Sequence, residues 1–313
     1  MKASGWLYAA AAGLLWGLVF VTPLLLPDYP PLWLTAGRYL AFGLVALPLA
    51  LLDVQALRRL TRADWLHAVA LSAVGNFLYY LLLSGAIQHA GGALPTMIIG
   101  TLPLAIALSA NWRNAARDGR YRLRQLAAPL GLIALGLAAV HHAEYAALRP
   151  ERVGAYALGA LLALGAVACW TWYPLRNADW LRQHPGRSPR SWASAQGLVT
   201  LPMALLLLVA APWLAPLPGP GALGPQPWAY AGLMLALGLL ASWLGTLCWN
   251  AASQRLPTAL VGQLIVFETL AALLYVLLLR QHGPAPGVLL GAAALLLGVV
   301  LALRQRPQAP AKP

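Results

Sequence analysis

Charged residues and cysteines are scarce in this 313-residue chain, and each scarcity excludes a class of protein. Only 9% of the residues are charged and 60% are hydrophobic, which is too little polar surface to cover a soluble globule of this length. The two cysteines, Cys169 and Cys248, fall inside apolar stretches, so we interpret them as small apolar residues rather than as a disulfide or a zinc site. The composition therefore favours a protein that lies in a membrane.

Ten apolar stretches run along the chain, and most are long enough to cross a bilayer. A hydrocarbon core of about 30 Å requires roughly 20 apolar residues of helix. The stretches lie at roughly 5–26, 32–52, 65–88, 93–112, 125–142, 153–173, 191–212, 228–252, 258–279 and 285–303. The sequence therefore predicts an all-α integral membrane protein with ten transmembrane helices, numbered here as spans one to ten.

Basic residues are concentrated in every second gap between these spans. With the N-terminus inside, the cytoplasmic segments hold 17 of the 21 Lys and Arg residues, and the largest group extends from Arg113 to Arg124. Because cationic loops stay on the side from which the chain is inserted, we expect both termini to be cytoplasmic in a bacterial inner membrane. The net charge of +13 is explained by these loops beside anionic lipid head groups, so no nucleic-acid partner is expected.

The two halves of the chain repeat. A shift of 166 residues makes identical residues coincide, including Gln88 with Gln254, Ala93 with Ala259, and Leu94 with Leu260. We expect two five-helix halves, residues 1–150 and 151–313. Because each half has an odd number of crossings, the second half is expected to be inverted in the membrane. Inverted repeats are typical of transporters that open a central site to alternate sides.

Short motifs occur in a fixed order along the spans. They are Leu15-Trp16-Gly17, Ala36-Gly37-Arg38-Tyr39, Thr101-Leu102-Pro103, Ala168-Cys169-Trp170-Thr171 and Phe267-Glu268-Thr269, with a seven-residue spacing in both Pro129 to Gly136 and Gly291 to Gly298. In this order they resemble the drug/metabolite transporter superfamily, in its ten-helix EamA-type branch, over essentially the whole chain. Thr269 is a departure, because similar proteins usually have proline there.

The resemblance implies secondary transport, commonly the export of metabolites. It also implies a cavity lined by spans one, three, four, six, eight and nine, and it makes Pro103 a candidate hinge, since a proline there is part of the family pattern.

Glu268 is the only acidic residue within a predicted span, and Arg38 is the only basic one. An acid at the centre of a membrane helix costs about 2.5–3.5 kcal/mol on insertion scales. We therefore expect Glu268 to couple transport to protons or to bind a substrate amine. The alternative is a structural acid that is neutral or paired with Arg38. Arg38 either binds a substrate carboxylate or has a structural role, reaching the outer interface or hydrogen-bonding to carbonyls or to Glu268.

Polar residues recur at equivalent positions of spans three and eight. Asn76 coincides with Ser242 and Tyr80 with Thr246, and their spacing of four places each pair on one helical face. These residues are candidates for contact with substrate, and interhelical hydrogen bonding is the alternative. Trp16 and Trp170 belong to corresponding motifs of the two halves. We expect their rings to form walls of the cavity.

Together these features predict a secondary transporter that exports a small organic metabolite, either an amino acid or a related amphipathic compound, by proton antiport or by facilitated diffusion. Multidrug efflux of lipophilic cations by proton antiport is the alternative. An enzyme is not expected, because the spans contain one carboxylate and no metal-binding or catalytic motif. The expected partners are a small-molecule substrate and the lipid bilayer, together with protons if transport is by antiport, with no cofactor or metal. The chain is compatible with a monomer or a homodimer.

Overall fold

The computed structural model describes residues 2–113, 123–146, 150–218, 223–256, 264–279 and 285–305, and every regular element among them is a helix. Some residues used in the sequence predictions lie outside these ranges. They are Arg117, Arg120 and Arg122 of the basic group between Arg113 and Arg124, and the repeat positions Ala259 and Leu260. The main helices are Lys2–Gly17, Pro31–Leu51, Arg62–Ala90, Ala93–Ile99, Leu102–Arg113, Leu123–Ala146, Val153–Gln183, Pro189–Leu214, Pro227–Arg255, Val266–Leu279 and Pro286–Arg304.

Seven helices of the described residues are long and apolar enough to cross a membrane, by length and composition. They coincide with predicted spans one to three and five to eight. Three shorter apolar helices, Ala93–Ile106, Val266–Leu279 and Pro286–Gly298, coincide with spans four, nine and ten. The all-helical, multi-pass prediction is confirmed. The three shorter helices are apolar, but their described residues are too few to establish by length that they cross the membrane.

Prolines and a capping box determine where several helices begin. Pro31, Pro189 and Pro227 occupy first turns, where the missing N–H removes no intrahelical hydrogen bond. Before span three, the backbone N–H of Asp64 donates to Thr61 Oγ1 at 3.2 Å, and the backbone N–H of Thr61 donates to Asp64 Oδ2 at 2.8 Å. These local signals start the helices independently of hydropathy.

Two of the long helices contain π-helical segments at equivalent positions. The segments are Ala73–Leu78 in span three and Leu237–Leu244 in span eight, and the 166-residue shift makes them overlap. Turns of this kind are rare within helices and occur frequently at functional sites. The segments contain Asn76 and Ser242, the two candidate binding residues that the 166-residue shift also superimposes.

The fourth predicted span is interrupted near its middle. Helix Ala93–Ile99 ends at Gly100, and helix Leu102–Arg113 begins after Thr101. Pro103 consequently lies in the first turn of the second helix, where it removes no intrahelical hydrogen bond. The break itself falls at Gly100 and Thr101. A hinge role for Pro103 stays a prediction, and its position beside the break is what the structure adds to it.

The packing of the helices is reciprocal between the two halves. Span one packs against spans eight and nine, and span six packs against spans three and four. Span two lies along span seven, and span five lies along span ten. Each of these contacts between the halves therefore has a counterpart with the roles of the halves exchanged.

Glycines allow the closest of these contacts. A Cβ atom on Gly13 would lie 2.7 Å from the backbone nitrogen of Glu268, so span one approaches span nine closely at the acidic residue. A Cβ atom on either Gly136 or Gly291 would lie 2.6 Å from the carbonyl oxygen of the other. Small residues permit such approaches between membrane helices, where van der Waals contact drives association.

Apolar side chains cover the outside of the bundle and polar side chains lie within it. Leu161, Leu206 and Leu290 are 65%, 73% and 69% exposed, whereas Asn177 and Gln196 are completely buried. In a bilayer, outward leucines contact hydrocarbon, and inward polar groups find partners on neighbouring helices. This distribution is that of a protein surrounded by lipid.

Candidate functional site

An enclosed space lies among spans one, two, three, six, eight and nine. Its volume is about 10 Å³, which corresponds to room for about one water molecule. The lining residues are Trp16, Val19, Arg38, Tyr39, Gly75, Asn76, Tyr79, Trp170, Tyr173, Ala241, Ser242, Thr246 and Glu268. Seven of the nine residues singled out from the sequence therefore lie around one space.

The set of helices that lines the space differs from the expected set, because span two takes the place of span four. Span two contributes lining residues and span four contributes none among its described residues. Span four instead packs against span nine. A Cβ atom on Gly100 of span four would lie 2.9 Å from Thr269 Cγ2 of span nine. The two remaining predicted residues, Tyr80 and Pro103, do not line the space.

Glu268 is positioned by a turn and a close helix contact. The chain turns at Leu264 and Ile265, and Glu268 then lies in the first turn of helix Val266–Leu279. This turn is present with Thr269, rather than proline, as the next residue. The side chain is 1% exposed, its Oε1 accepts a hydrogen bond of 3.4 Å from the Tyr79 hydroxyl, and its Oε2 has no partner in the described part of the chain.

Arg38 lines the same space and is contributed by span two. Its Nε donates to Ser242 Oγ at 3.0 Å, and its guanidinium lies 5.0 Å from the ring of Tyr39 and 4.5 Å from that of Tyr80. Stacking of a cation on aromatic faces is favourable in a desolvated site. The side chain is 5% exposed, and Nη1 has no hydrogen-bond partner among the residues that the structure describes. Arg38 therefore stays in the interior rather than reaching the membrane interface.

No ion pair joins Arg38 to Glu268, both of which lie in the described part of the chain. Ion pairs elsewhere among the described residues include Arg190 with Asp53 and His184 with Asp64. Burying unpaired charges is costly, and an unsatisfied buried polar atom costs about 1–3 kcal/mol. Among the described residues, the space thus contains one guanidinium nitrogen, Nη1 of Arg38, and one carboxyl oxygen, Oε2 of Glu268, that are left without hydrogen-bond partners.

Aromatic rings form much of the wall. Trp16 and Trp170 meet edge to face, with ring centroids 4.6 Å apart, and Tyr79 packs on Trp170 at 5.3 Å. The indole N–H of Trp16 donates to the carbonyl of Ala241 at 2.8 Å, which fixes that ring against span eight. The Trp170 Nε1 is buried without a partner. These rings present an apolar surface beside the two charged groups.

The polar residues of spans three and eight are divided between the space and its surroundings. Asn76, Ser242 and Thr246 line the space, whereas the ring of Tyr80 lies against Arg38 and contacts the site through it. Asn76 Nδ2 donates to Ser72 Oγ at 3.5 Å, a long contact that leaves the amide weakly held.

Sequence reasoning missed three tyrosines that line the space, Tyr39, Tyr79 and Tyr173. Tyr39 belongs to the same motif as Arg38, and Tyr79 precedes Tyr80, so both were adjacent to residues already chosen. Tyr173 is fixed by a 2.9 Å hydrogen bond from its hydroxyl to Gln196 Oε1. Nothing in the local pattern around Tyr173 distinguished it from an interfacial tyrosine. No three His, Cys, Asp or Glu side chains of the described residues gather in the geometry of a metal site.

The fold and this site define a multi-pass helical membrane protein with a buried, charged and aromatic site enclosed by six helices. Comparison with known proteins gives the family. The sequence model of the EamA-like transporter family matches residues 3–114. The inner membrane protein YtfF of Escherichia coli (strain K12) is 50% identical over 311 residues, which cover 98% of this chain and 97% of YtfF. The chain belongs to the EamA-like transporter family and is a membrane transporter.

A solved crystal structure supports the fold. It matches with a TM-score of 0.68 at 20% sequence identity, and the match covers 96% of this chain and 98% of the other. At this identity the likeness concerns the arrangement of the helices alone.

Proposed function

We propose that this protein is a secondary transporter of the bacterial inner membrane that exports an amino acid or a related amphipathic metabolite by alternating access. The observation that carries the proposal is the pair of unpaired, oppositely charged groups at one enclosed site. Nη1 of Arg38 offers a donor to a carboxylate, and Oε2 of Glu268 offers an acceptor to an ammonium group. Trp16 and Trp170 supply an apolar wall for the remainder of the molecule.

The alternative substrate class, lipophilic cations, fits the same site less well. Glu268 would attract a cation, but Arg38 lines the same space and would repel it. A zwitterion satisfies both groups, whereas a cation leaves the buried guanidinium without a partner. The presence of Arg38 is therefore the specific observation that favours an amino acid over multidrug efflux.

Alternating access is supported by the size of the site and by the reciprocal packing. A space of about 10 Å³ has no room for an amino acid, so helices must separate before substrate enters. The exchanged contacts of the two halves, with the matching π-helical segments, support ten crossing helices in two inverted halves, residues 1–150 and 151–313. Two inverted copies can exchange conformations and so open the site to either side.

The orientation and the membrane are also part of the proposal. The concentration of Lys and Arg in alternate loops supports cytoplasmic termini. The inner-membrane location of the relative YtfF supports the same location here. The direction of such a carrier is set by the gradients and not by its fold. Export, rather than uptake, is therefore proposed from the family resemblance.

Glu268 is the proposed coupling residue. It is the acidic residue of the site, and its burial beside the substrate position lets protons and a substrate ammonium group compete for one carboxylate. Such competition is the simplest basis for antiport of protons and substrate. The neutral variant Glu268→Gln should therefore lose the response of transport to a pH gradient.

The test is uptake of matched solutes into proteoliposomes that contain the purified protein. Leucine carries both charges, leucinamide lacks the carboxylate, 4-methylpentanoate lacks the amine, and tetraphenylphosphonium represents lipophilic cations. We expect the wild type to prefer leucine to either analogue. Because a hydrogen bond to a charged group contributes about 1.5–3 kcal/mol, each preference should be roughly 10- to 100-fold.

The variants separate the two recognition groups. Arg38→Lys should reduce the preference for leucine over leucinamide, and Glu268→Gln should reduce the preference over 4-methylpentanoate and abolish the pH response. Transport of leucine that is unchanged in both variants would contradict the proposal. Preferred transport of tetraphenylphosphonium by the wild type would establish the alternative.

A further inference from the structure

Two glutamines make equivalent hydrogen bonds in opposite halves of the protein. Gln88, near the end of span three, donates from Nε2 to the carbonyl oxygen of Tyr29 at 2.8 Å. Gln254, near the end of span eight, donates from Nε2 to the carbonyl oxygen of Arg187, also at 2.8 Å. The 166-residue shift relates the two glutamines. Tyr29 and Arg187 each stand two residues before the proline that opens the following helix.

The side chains of both acceptor residues then reach across to the other half. The Tyr29 hydroxyl donates to the carbonyl of Leu223 at 2.7 Å and accepts from the backbone N–H of Gln226 at 3.0 Å, in the loop before span eight. The Arg187 guanidinium donates to the carbonyls of Arg59 at 2.7 Å and Ala56 at 3.4 Å, in and just after the short helix Val54–Arg58 that precedes span three. The 166-residue shift relates spans three and eight, so each bridge runs from a glutamine to a backbone carbonyl of its own half and from that residue's side chain to the segment before the equivalent span of the other half.

The bridges lie at opposite ends of the bundle. Helix Pro31–Leu51 begins two residues after Tyr29 and ends just before the loop that Arg187 contacts. At 1.5 Å per residue this 21-residue helix separates the bridges by about 30 Å. We call these the Tyr29 end and the Arg187 end. The charged site lies among the helices that connect them.

We infer that Gln88–Tyr29 and Gln254–Arg187 are matched clasps, each of which must open for the site to become accessible at its own end. The inference rests on the alternating access proposed above. Each clasp joins three segments: the end of a helix that lines the site, the loop of its own half, and a loop of the other half. Separation of the halves at one end breaks the contacts of Tyr29 or Arg187 with the other half and leaves those at the opposite end intact. The glutamine of the same half holds the loop that carries the bridging side chain, so its removal weakens that bridge.

Gln88 and Gln254 are therefore positioning residues that set the balance between conformations open at the two ends. They do not line the site, so their substitution should leave the chemistry of substrate recognition unchanged. Loss of one net hydrogen bond corresponds to roughly a fivefold change in an equilibrium. Gln88→Ala should shift the population about fivefold toward opening at the Tyr29 end. Gln254→Ala should shift it by a similar factor in the opposite direction.

The experiment measures access to the site from each side of the membrane. Thr246→Cys, in a background with Cys169→Ala and Cys248→Ala, places a single thiol at the site. A charged, membrane-impermeant thiosulfonate is added to vesicles of known orientation, and the rate of thiol labelling is measured. Gln88→Ala should raise labelling from the Tyr29 end alone, and Gln254→Ala from the Arg187 end alone. In the double variant the two rates should return to nearly the wild-type ratio.

Two further variants guard against a general loss of folding. Tyr29→Phe removes the hydroxyl contacts and keeps the carbonyl that Gln88 binds, so it should give the same one-sided change as Gln88→Ala. Gln55→Ala alters an exposed glutamine at the Arg187 end and should change neither rate.

The outcomes separate this inference from the proposed function. If the wild-type thiol is labelled from both sides but the glutamine variants leave the ratio of rates unchanged, or change it in the same direction, the clasps are wrong and alternating access stands. If the thiol is labelled from one side only, even with substrate present, alternating access fails and the clasp inference fails with it.

Discussion

The two ends of the transporter are joined by equivalent bridges made from different chemistry. At the Tyr29 end the bridging side chain is a completely buried phenol, whose ring stacks on that of Tyr230 with centroids 4.8 Å apart. At the Arg187 end it is a half-buried guanidinium, and a two-pronged ion pair between Arg190 and Asp53 lies nearby. The positions of the two bridges therefore correspond, whereas the groups that form them differ.

This difference teaches how two corresponding bridges can meet unlike surroundings with one geometry. A buried neutral hydrogen bond is insensitive to salt, whereas exposed charged contacts are weakened by screening. Arginines at one end also suit a membrane face that carries the positive loops. The two ends are thus expected to respond differently to mutation and to ionic strength.

The largest difference is expected from glycines beside the two bridges. Gly224 has a φ of +76°, and a Cβ atom there would lie 3.0 Å from the ring of Tyr29, whereas nothing lies within 4 Å of a Cβ atom on Gly186. Gly224→Val should lower the free energy of unfolding by about 2–5 kcal/mol through backbone strain and overpacking. Gly186→Val should change it by about 0.5 kcal/mol or less. Thermal unfolding in detergent measures both, and equal losses would refute the comparison.

A smaller difference is expected when the bridging groups themselves are removed. Tyr29→Phe loses two hydrogen bonds of a buried hydroxyl, and it should destabilise the fold by about 1–2 kcal/mol at every salt concentration. Arg187→Ala exposes its two carbonyl partners to water, so the expected loss is about 0.5–1 kcal/mol. The measurement is thermal unfolding of both variants beside the wild type. A larger loss for Arg187→Ala would mean that the charged bridge is the stronger one.

The smallest effect is expected at the ion pair of the Arg187 end. Arg190 donates to Asp53 at 2.8 and 2.6 Å, but its side chain is 46% exposed. Asp53→Asn should therefore cost about 0–1 kcal/mol at low salt. The cost should vanish near 1 M salt, where the Debye length is about 3 Å. A titration of unfolding temperature against salt tests this, and a loss that persists at 1 M would show that the pair is not screened.

Much of the fold was predictable because membrane insertion is governed by local composition. Hydropathy and the positions of Lys and Arg depend on short stretches of sequence, so the helices fall where the ten spans were drawn. The break at Gly100 and the π-helical segments were not predictable, because they depend on packing against other helices. For the same reason the sequence assigned Pro103 to a span interior rather than to a helix start.

The candidate site was predictable where a residue is unusual for its surroundings. Glu268 and Arg38 stood out because charges are costly within a membrane, and both line the site. Tyr79 did not stand out beside Tyr80, since adjacent tyrosines on a helix give the same local signal and only tertiary contacts distinguish them. The match of Gln88 with Gln254 was visible in the sequence, but the acceptors of their hydrogen bonds required the folded chain.

The small volume between Arg38 and Glu268 has a consequence for the energy balance of the cell. A proton crosses a protein readily along a continuous file of water molecules, and a space for about one molecule is too short to form such a file. On the proposed mechanism, a carrier closed at both ends would therefore insulate the membrane. It would sit in an energised bilayer without dissipating the proton gradient that the proposed antiport would consume.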